Sequence, residues 1–290
     1  MSNWLIDKAG VQIRLSSRSQ AATDLLANIL TSIGKETVAH SITEPTKNEP
    51  VIELSVDHQE GGWHLCDHSN DQVRTLNNTG DLIYHLTDRI VFHIADKARD
   101  AHCLHAASVA MGNNALVIPA NSGDGKSSFT TWLLANGFSY ITDELILVNA
   151  EQQVEGIARP IQIKSHGINA VKHLFTEPSL VHAGNFANAV PVQALAAKVS
   201  EYRLHALRLF VFPQYREGAD YSLVKLSSAE AGMRLMANHV NARNLEGHGF
   251  RQMMAIIRST PCYALEYGGF NTLPDDFADT LATLLTQGVD

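Results

Sequence analysis

Residues 115–129 read Ala115-Leu-Val-Ile-Pro-Ala-Asn-Ser-Gly-Asp-Gly-Lys-Ser-Ser-Phe129, and the order of residue types here decides the fold. An apolar run suited to a buried strand is followed by a glycine-rich turn, then by a lysine and two hydroxyl residues that open a helix. Residues 120–127 match the phosphate-loop pattern G-x-x-x-x-G-K-[ST] at every required position but the first, where Ala120 replaces glycine. Gly123 and Gly125 let the backbone curl so that successive N–H groups face phosphate oxygens. The helix start adds its partial positive charge. Lys126 reaches the outer phosphates, and the Ser127 hydroxyl suits Mg²⁺, a hard ion that prefers oxygen. The expected phosphate-binding residues are Asn121, Ser122, Gly123, Asp124, Gly125, Lys126, Ser127 and Ser128. The competing reading is a glycine-serine loop ending in an ordinary helix cap, with Lys126 solvated on the first turn.

Outward from the loop, the pattern predicts a helix over residues 126–136, a turn at Gly137 and a strand over 138–142. A ten-residue helix covers ~16 Å, and the strand covers a similar distance back. Asp143 and Glu144 are therefore expected beside the phosphate loop, at the sheet edge where open α/β folds bind ligands. An acid there holds Mg²⁺ or takes a proton from an attacking hydroxyl. It is equally the place for an acidic strand end that caps a turn. If both lie on one strand they point to opposite faces.

Upstream, residues 102–111 and 115–118 read as strands around the turn 112–114. Downstream, Ile161, Ile163, Leu207, Leu209, Val211, Leu223 and Leu226 belong to further β segments. Residues 227–230 form a capping box that opens a helix carrying Met233 and Met236, both expected in the core. Phe277, Leu281 and Leu285 mark a C-terminal helix. In the first hundred residues, Val11, Ile13 and Leu15 alternate as a strand, and residues 51–56 form a second. A hairpin turns at Asn70-Asp71, a helix over 21–33 stops at Gly34, and a helix over 81–98 starts at Asp81. The expected boundary lies near residue 99. It separates an α+β segment, 1–98, for recognition or assembly from a nucleotide-binding domain, 99–290.

The ordered set Leu104-His-Ala-Ala-Ser108, Ser122-Gly-Asp-Gly-Lys-Ser127, Thr142-Asp-Glu144 and Ile161-Gln-Ile-Lys-Ser-His-Gly-Ile-Asn-Ala-Val171 resembles the HPr kinase/phosphorylase superfamily, specifically the HPr-kinase-related serine kinases. The resemblance covers residues 100–175. It implies a mixed α/β fold with a phosphoenolpyruvate-carboxykinase-like P-loop core, and transfer of the γ-phosphoryl of ATP to a serine or other hydroxyl. It also implies catalytic roles for Asp143, His105 and Lys126, and metal contacts at Ser127, Asp143 and Glu144, with ATP and Mg²⁺ as cofactors. Four positions depart from the family pattern. Glu144 stands for a second Asp, Gln162 for a Glu, and Lys164-Ser165 for Arg-Gly.

The chain has 290 residues, 22 Lys plus Arg against 30 Asp plus Glu, and a formal charge of −8. That balance argues against a general nucleic-acid or anionic-membrane surface. No apolar run approaches the ~20 residues of a membrane span, and the N-terminus has no signal-peptide core. Cys66, Cys103 and Cys262 suggest no disulfide framework. The expected setting is cytoplasmic, with a hydroxyl-bearing acceptor (protein, peptide or small molecule) as partner and a homo-oligomer possible. His64, Cys66 and His68 alternate, as zinc ligands or as a half-buried strand face would. Arg203, Arg208, Arg216 and Arg243 are candidate phosphate contacts. The first functional expectation is a Mg²⁺-ATP-dependent kinase. The second is a nucleotide-binding switch whose slow ATP hydrolysis regulates a partner.

Overall fold

A computed structural model describes residues 2–33 and 51–286. The N-terminal part comprises β1 (Ser2–Lys8), β2 (Val11–Ser17), α1 (Gln20–Ile33), β3 (Ile52–Gln59), β4 (Gly62–Asp67), β5 (Gln72–Leu76) and α2 (Thr79–Lys97). The five strands form a sheet in chain order, antiparallel except for the β2–β3 pair. β1 escaped the sequence reading, although Trp4, Ile6 and Lys8 alternate inward along it. The hairpin between β4 and β5 turns at Asn70-Asp71 as expected, with Asp67 opposite Gln72. Gly34, the expected stop of α1, lies outside the described residues. α2 starts two residues earlier than expected, because Asn78 rather than Asp81 is the cap and accepts the Asp81 N–H at 2.8 Å.

The rest of the chain adds β6 (His102–Met111), β7 (Asn114–Pro119), α3 (Lys126–Ala135), β8 (Ser139–Thr142), β9 (Leu145–Val148), β10 (Gln153–Gly156), β11 (Ile161–Ile163), α4 (Ser165–Val171) and β12 (Asn188–Val190). It continues through β13 (His205–Tyr215), β14 (Ser222–Lys225), α5 (Ser228–Met236), α6 (Phe250–Ser259), β15 (Cys262–Tyr267) and α7 (Phe277–Thr286). The large mixed sheet runs β10-β9-β6-β7-β13-β15-β14, with β8 also on β6. β10 pairs with β13 as well as β9, so β10, β9, β6, β7 and β13 close on themselves. β7, β13 and β15 are parallel, so Pro119, Tyr215 and Tyr267 end at one edge. β6 runs antiparallel to β7 and brings Ala106 opposite Pro119 at that same edge.

The apolar stretches of β7 and β13 are buried on both faces, as a central strand covered by helices requires. One face packs Phe129, Leu133 and Leu134 of α3 and Phe277, Leu281 and Leu285 of α7. The other packs Leu235 of α5 and Met253, Ile256 and Ile257 of α6. α5 opens with the expected capping box at Ser227 and Glu230. Met233 is not a core residue: it is 79% exposed, because α5 docks through Ala231, Gly232 and Leu235 on its opposite side. Met236 is half-buried against the same cluster.

The boundary expected near residue 99 falls between α2 and β6, but it does not fall between two cores. Trp4, Ile6, Leu86 and Ile94 share a cluster with Ala101, Cys103, Leu145, Leu147 and Ile157. Lys8 of β1 is buried in an ion pair with Glu155 of β10, and Arg203 reaches the same carboxylate. Both Asp81 oxygens accept from Asn185, its backbone N–H and its side-chain amide each at 2.7 Å.

Candidate phosphate-binding and transfer site

The loop from Ala120 to Lys126 joins the end of β7 to α3. Gly125 is the residue before α3 and has φ 89° and ψ 11°, a left-handed conformation that costs a side-chain residue free energy. A Cβ at this position would also lie 2.6 Å from the Tyr267 hydroxyl, so glycine is required twice over. Gly123 has φ 104° with open space around it. Asp124 ties the loop together. Its carboxylate accepts the Asn121 N–H at 3.0 Å and its carbonyl accepts the Tyr215 N–H at 3.1 Å. Asn121, Ser122 and Gly123 form the exposed crest, while Ser127 and Ser128 are half-buried on the first turn of α3. Ser128 faces α4, with its hydroxyl 3.3 Å from where Gly167 would carry a Cβ.

Lys126 is half-buried and turned inward. Its ammonium donates to the Asp143 carbonyl oxygen, and burial lowers its pKa against the pull of Asp143 and Glu144. Asp143 and Glu144 do return to the loop, but not as neighbours on one strand. They occupy the bend between β8 and β9, so both turn toward one cation. That cation is Arg159, which the sequence reading passed over in favour of other arginines. Its Nε donates to Asp143 Oδ1 at 3.0 Å, its Nη2 to Glu144 Oε2 at 2.6 Å and its Nη1 to Thr87 of α2 at 3.1 Å. Burial lowers the Arg159 pKa, but the two carboxylates outweigh it and hold the guanidinium charged. No local signal marks Arg159, because its partners arrive from α2 and the β8–β9 bend.

The two acids have different surroundings. Asp143 is 1% exposed. Its Oδ2 accepts the Gln162 N–H at 3.0 Å and the Ser127 hydroxyl at 3.4 Å. The Tyr140 hydroxyl donates to the Arg159 carbonyl at 2.9 Å and lies 3.4 Å from Asp143 Oδ1. Burial, with Asp143 beside it, pushes the Tyr140 pKa well up, so this hydroxyl stays a donor. The Glu144 side chain is 30% exposed, and its Oε1 is 3.2 Å from Nδ1 of His105, itself 35% exposed. Burial alone would raise the Glu144 pKa. Arg159 and the His105 hydrogen bond reverse that and hold the carboxyl far below its usual range. Lys164 extends across the crest to donate to Ser122 Oγ at 2.6 Å. Loop, lysines, histidine and acids are therefore contiguous.

Other candidates lie elsewhere. His64 meets Thr75 at 3.3 Å and His68 meets Ser55 at 2.9 Å, both on the N-terminal sheet. Arg203 binds Glu155, Arg208 binds Asn114, Arg216 binds Glu266 and Arg243 binds Asp96.

No family model and no curated protein matches this chain. Among solved structures, the chain is matched to the Hpr(Ser) kinase/phosphatase from Coxiella burnetii with a TM-score of 0.30 and 13% sequence identity. The match covers 63% of this chain and 92% of that one. Among the described residues, no helix is long and apolar enough to cross a membrane.

Proposed function

We propose that the protein is a Mg²⁺-ATP-dependent phosphotransferase that moves the γ-phosphoryl group of ATP to a hydroxyl acceptor. The observation that carries this reading is the convergence of Lys126, His105 and the Arg159-clamped acids on a glycine loop at the start of α3. In this reading the loop N–H groups and the helix start hold the phosphates. Lys126 shifts from the Asp143 carbonyl to the outer phosphates, and Lys164 on the crest adds a second positive charge.

The oxygen donors beside Ser127 fit Mg²⁺. Ser127 Oγ and Asp143 Oδ2 are 3.4 Å apart, and among the described residues the buried Gln162 Oε1 has no hydrogen-bond partner. Hard oxygens of this kind, with nucleotide phosphates completing the set, are what Mg²⁺ takes. When bound, Mg²⁺ supplies charge neutralisation across the outer phosphates.

Asp143, with both oxygens engaged by donors, holds this side of the site rather than meeting the acceptor. Glu144 fixes Nδ1 of His105 and leaves the other ring nitrogen to receive the acceptor proton, as a carboxylate-oriented imidazole does. Buried Arg159 holds the two acids in place and keeps Glu144 ionised.

Purified protein with Mg²⁺ and γ-labelled ATP tests this reading. ADP formation is expected, and it should fall ~10²-fold or more in His105→Ala, with Lys126→Ala close to background. Equal turnover in Lys126→Ala and the parent chain would remove the loop from the chemistry. Release of label to water alone, with every fraction of a cell extract present, would favour the regulatory switch.

A further inference from the structure

A groove of about 400 Å³ opens beside the loop and extends from Asn121 and Asp124 to α5. Its walls are the loop entry at Ala120 and Asn121, the end of β13 at Phe212 and Gln214, and α5 with the residues just after it. The groove is joined to the reacting end of the site. The His105 N–H donates to the Asn238 carbonyl at 2.8 Å, so the residue that lines the groove also holds the histidine.

The lining has a definite chemistry. Arg234 is exposed, and its guanidinium lies 6.0 Å over the Phe212 ring. Among the described residues no carboxylate reaches it within salt-bridge distance. Glu230, one turn earlier on α5, has its carboxylate bound to the Ser227 N–H and hydroxyl as the helix cap. Asp124, the one acid of the lining, accepts the Asn121 N–H. Met233, 79% exposed, and Phe212 give apolar surface, and the amides of Asn121, Gln214 and Asn238 give neutral hydrogen-bonding groups. An exposed guanidinium in a concave site with two apolar side chains and several amides suits a small organic anion. A seryl side chain presented by a protein surface would insert only a hydroxymethyl group and leave most of this volume empty.

We infer that the groove is the acceptor subsite and that the acceptor is a small hydroxyl compound carrying an anionic group, held by Arg234. This rests on the phosphotransfer reading above. The acceptor oxygen bonds to the γ-phosphorus as the bond from that phosphorus to the β–γ bridging oxygen breaks. The bond's electron pair leaves on ADP, and the hydroxyl proton passes to His105. The class of reaction upstream of this protein is one that makes a hydroxyl acid or a hydroxyl-bearing phosphate ester.

The test uses the full chain, Mg²⁺, γ-labelled ATP and a cell extract split by a 3-kDa filter. The filtrate is divided by an anion-exchange resin into bound and unbound fractions. Label is expected in a product of the resin-bound small molecules. It should fall about tenfold or more in Arg234→Glu and in Met233→Trp, which fills the groove, with Arg234→Lys retaining part. Thermal melting checks that each variant is folded. Label in the filter-retained proteins, label from the unbound fraction, or full labelling by Arg234→Glu would each overturn the proposal. So would Mg²⁺-ATP binding without label in any fraction. Failure of the parent chain to bind Mg²⁺-ATP at all would instead remove the phosphate-loop reading beneath it.

Discussion

Gly125 carries the most concentrated requirement in the site, because its backbone angle and its contact with Tyr267 both exclude a side chain. Gly125→Ala should destabilise the chain by about 1–3 kcal/mol and abolish Mg²⁺-ATP binding. Gly123→Ala, with open space around it, should cost only the backbone strain; denaturant melts and nucleotide titrations of the two compare them directly. Arg159 has the opposite character, since its loss removes the buried guanidinium that bridges the two carboxylates. Arg159→Leu is expected to cost about 3–5 kcal/mol, seen as a large drop in melting temperature. Double replacement with Asp143→Asn should recover part of it. Recovery would separate charge compensation from packing. Asp143→Asn alone, which takes a carboxylate oxygen from the Mg²⁺ side of the site, should reduce turnover by ~10–100-fold, and an unchanged rate would take Asp143 out of the mechanism.

At the scale of elements, α2 matters more to the site than its distance in sequence suggests. It is held to the N-terminal sheet by His93, whose Nε2 lies 2.7 Å from Asp67 Oδ2 with both side chains buried, and it delivers Thr87 to Arg159. Burial raises the Asp67 pKa, but hydrogen bonds from Asn70 and His93 outweigh it, and the carboxyl sits below its ordinary 3.8. A carboxyl lowered by folding contributes stability that is complete above its unfolded value and is lost as pH falls through its folded value. The parent chain should therefore lose stability more steeply below about pH 4 than Asp67→Asn, which begins less stable at pH 7. Thermal melts at pH 7 and pH 3.5 measure both slopes, and parallel slopes would show that this pair does not set the acid limit. The β8–β9 bend teaches a second lesson about elements. Sequence periodicity placed Asp143 and Glu144 near the loop, yet the bend between two short strands, each on a different half of β6, is what turns both toward Arg159.

Across the whole molecule, the N-terminal sheet and the glycine-loop half are joined by a common apolar cluster and by polar contacts that cross the expected boundary. A fragment beginning near residue 99 would uncover Ala101, Cys103, Leu145, Leu147 and Ile157 and strip Glu155 and Arg159 of Lys8 and Thr87. At about 1.5–3 kcal/mol for each large apolar side chain returned to water, the loss exceeds the 5–15 kcal/mol margin of a typical fold within a handful of residues. The fragment is expected to be insoluble or to melt without cooperativity. A soluble fragment that bound Mg²⁺-ATP as well as the full chain would show that the shared cluster is dispensable.

The sequence by itself determined the features that depend on neighbours within a few residues. The strand–glycine loop–helix unit at 115–135, the return of Asp143 and Glu144, the capping box at Ser227 and the β4–β5 hairpin each follow from local periodicity and turn chemistry. Most of the mixed α/β character was legible for the same reason. Tertiary structure decided what depends on distant partners. Arg159 gains its role only when α2, the β8–β9 bend and the segment before β11 meet, and Lys126 is turned inward by a carbonyl 17 positions away. Met233 has the spacing of a core residue, yet it faces a groove because the sheet takes α5 by its other side. A side chain's environment is set by everything packed around it, and local sequence specifies only the part contributed by its own turn or strand.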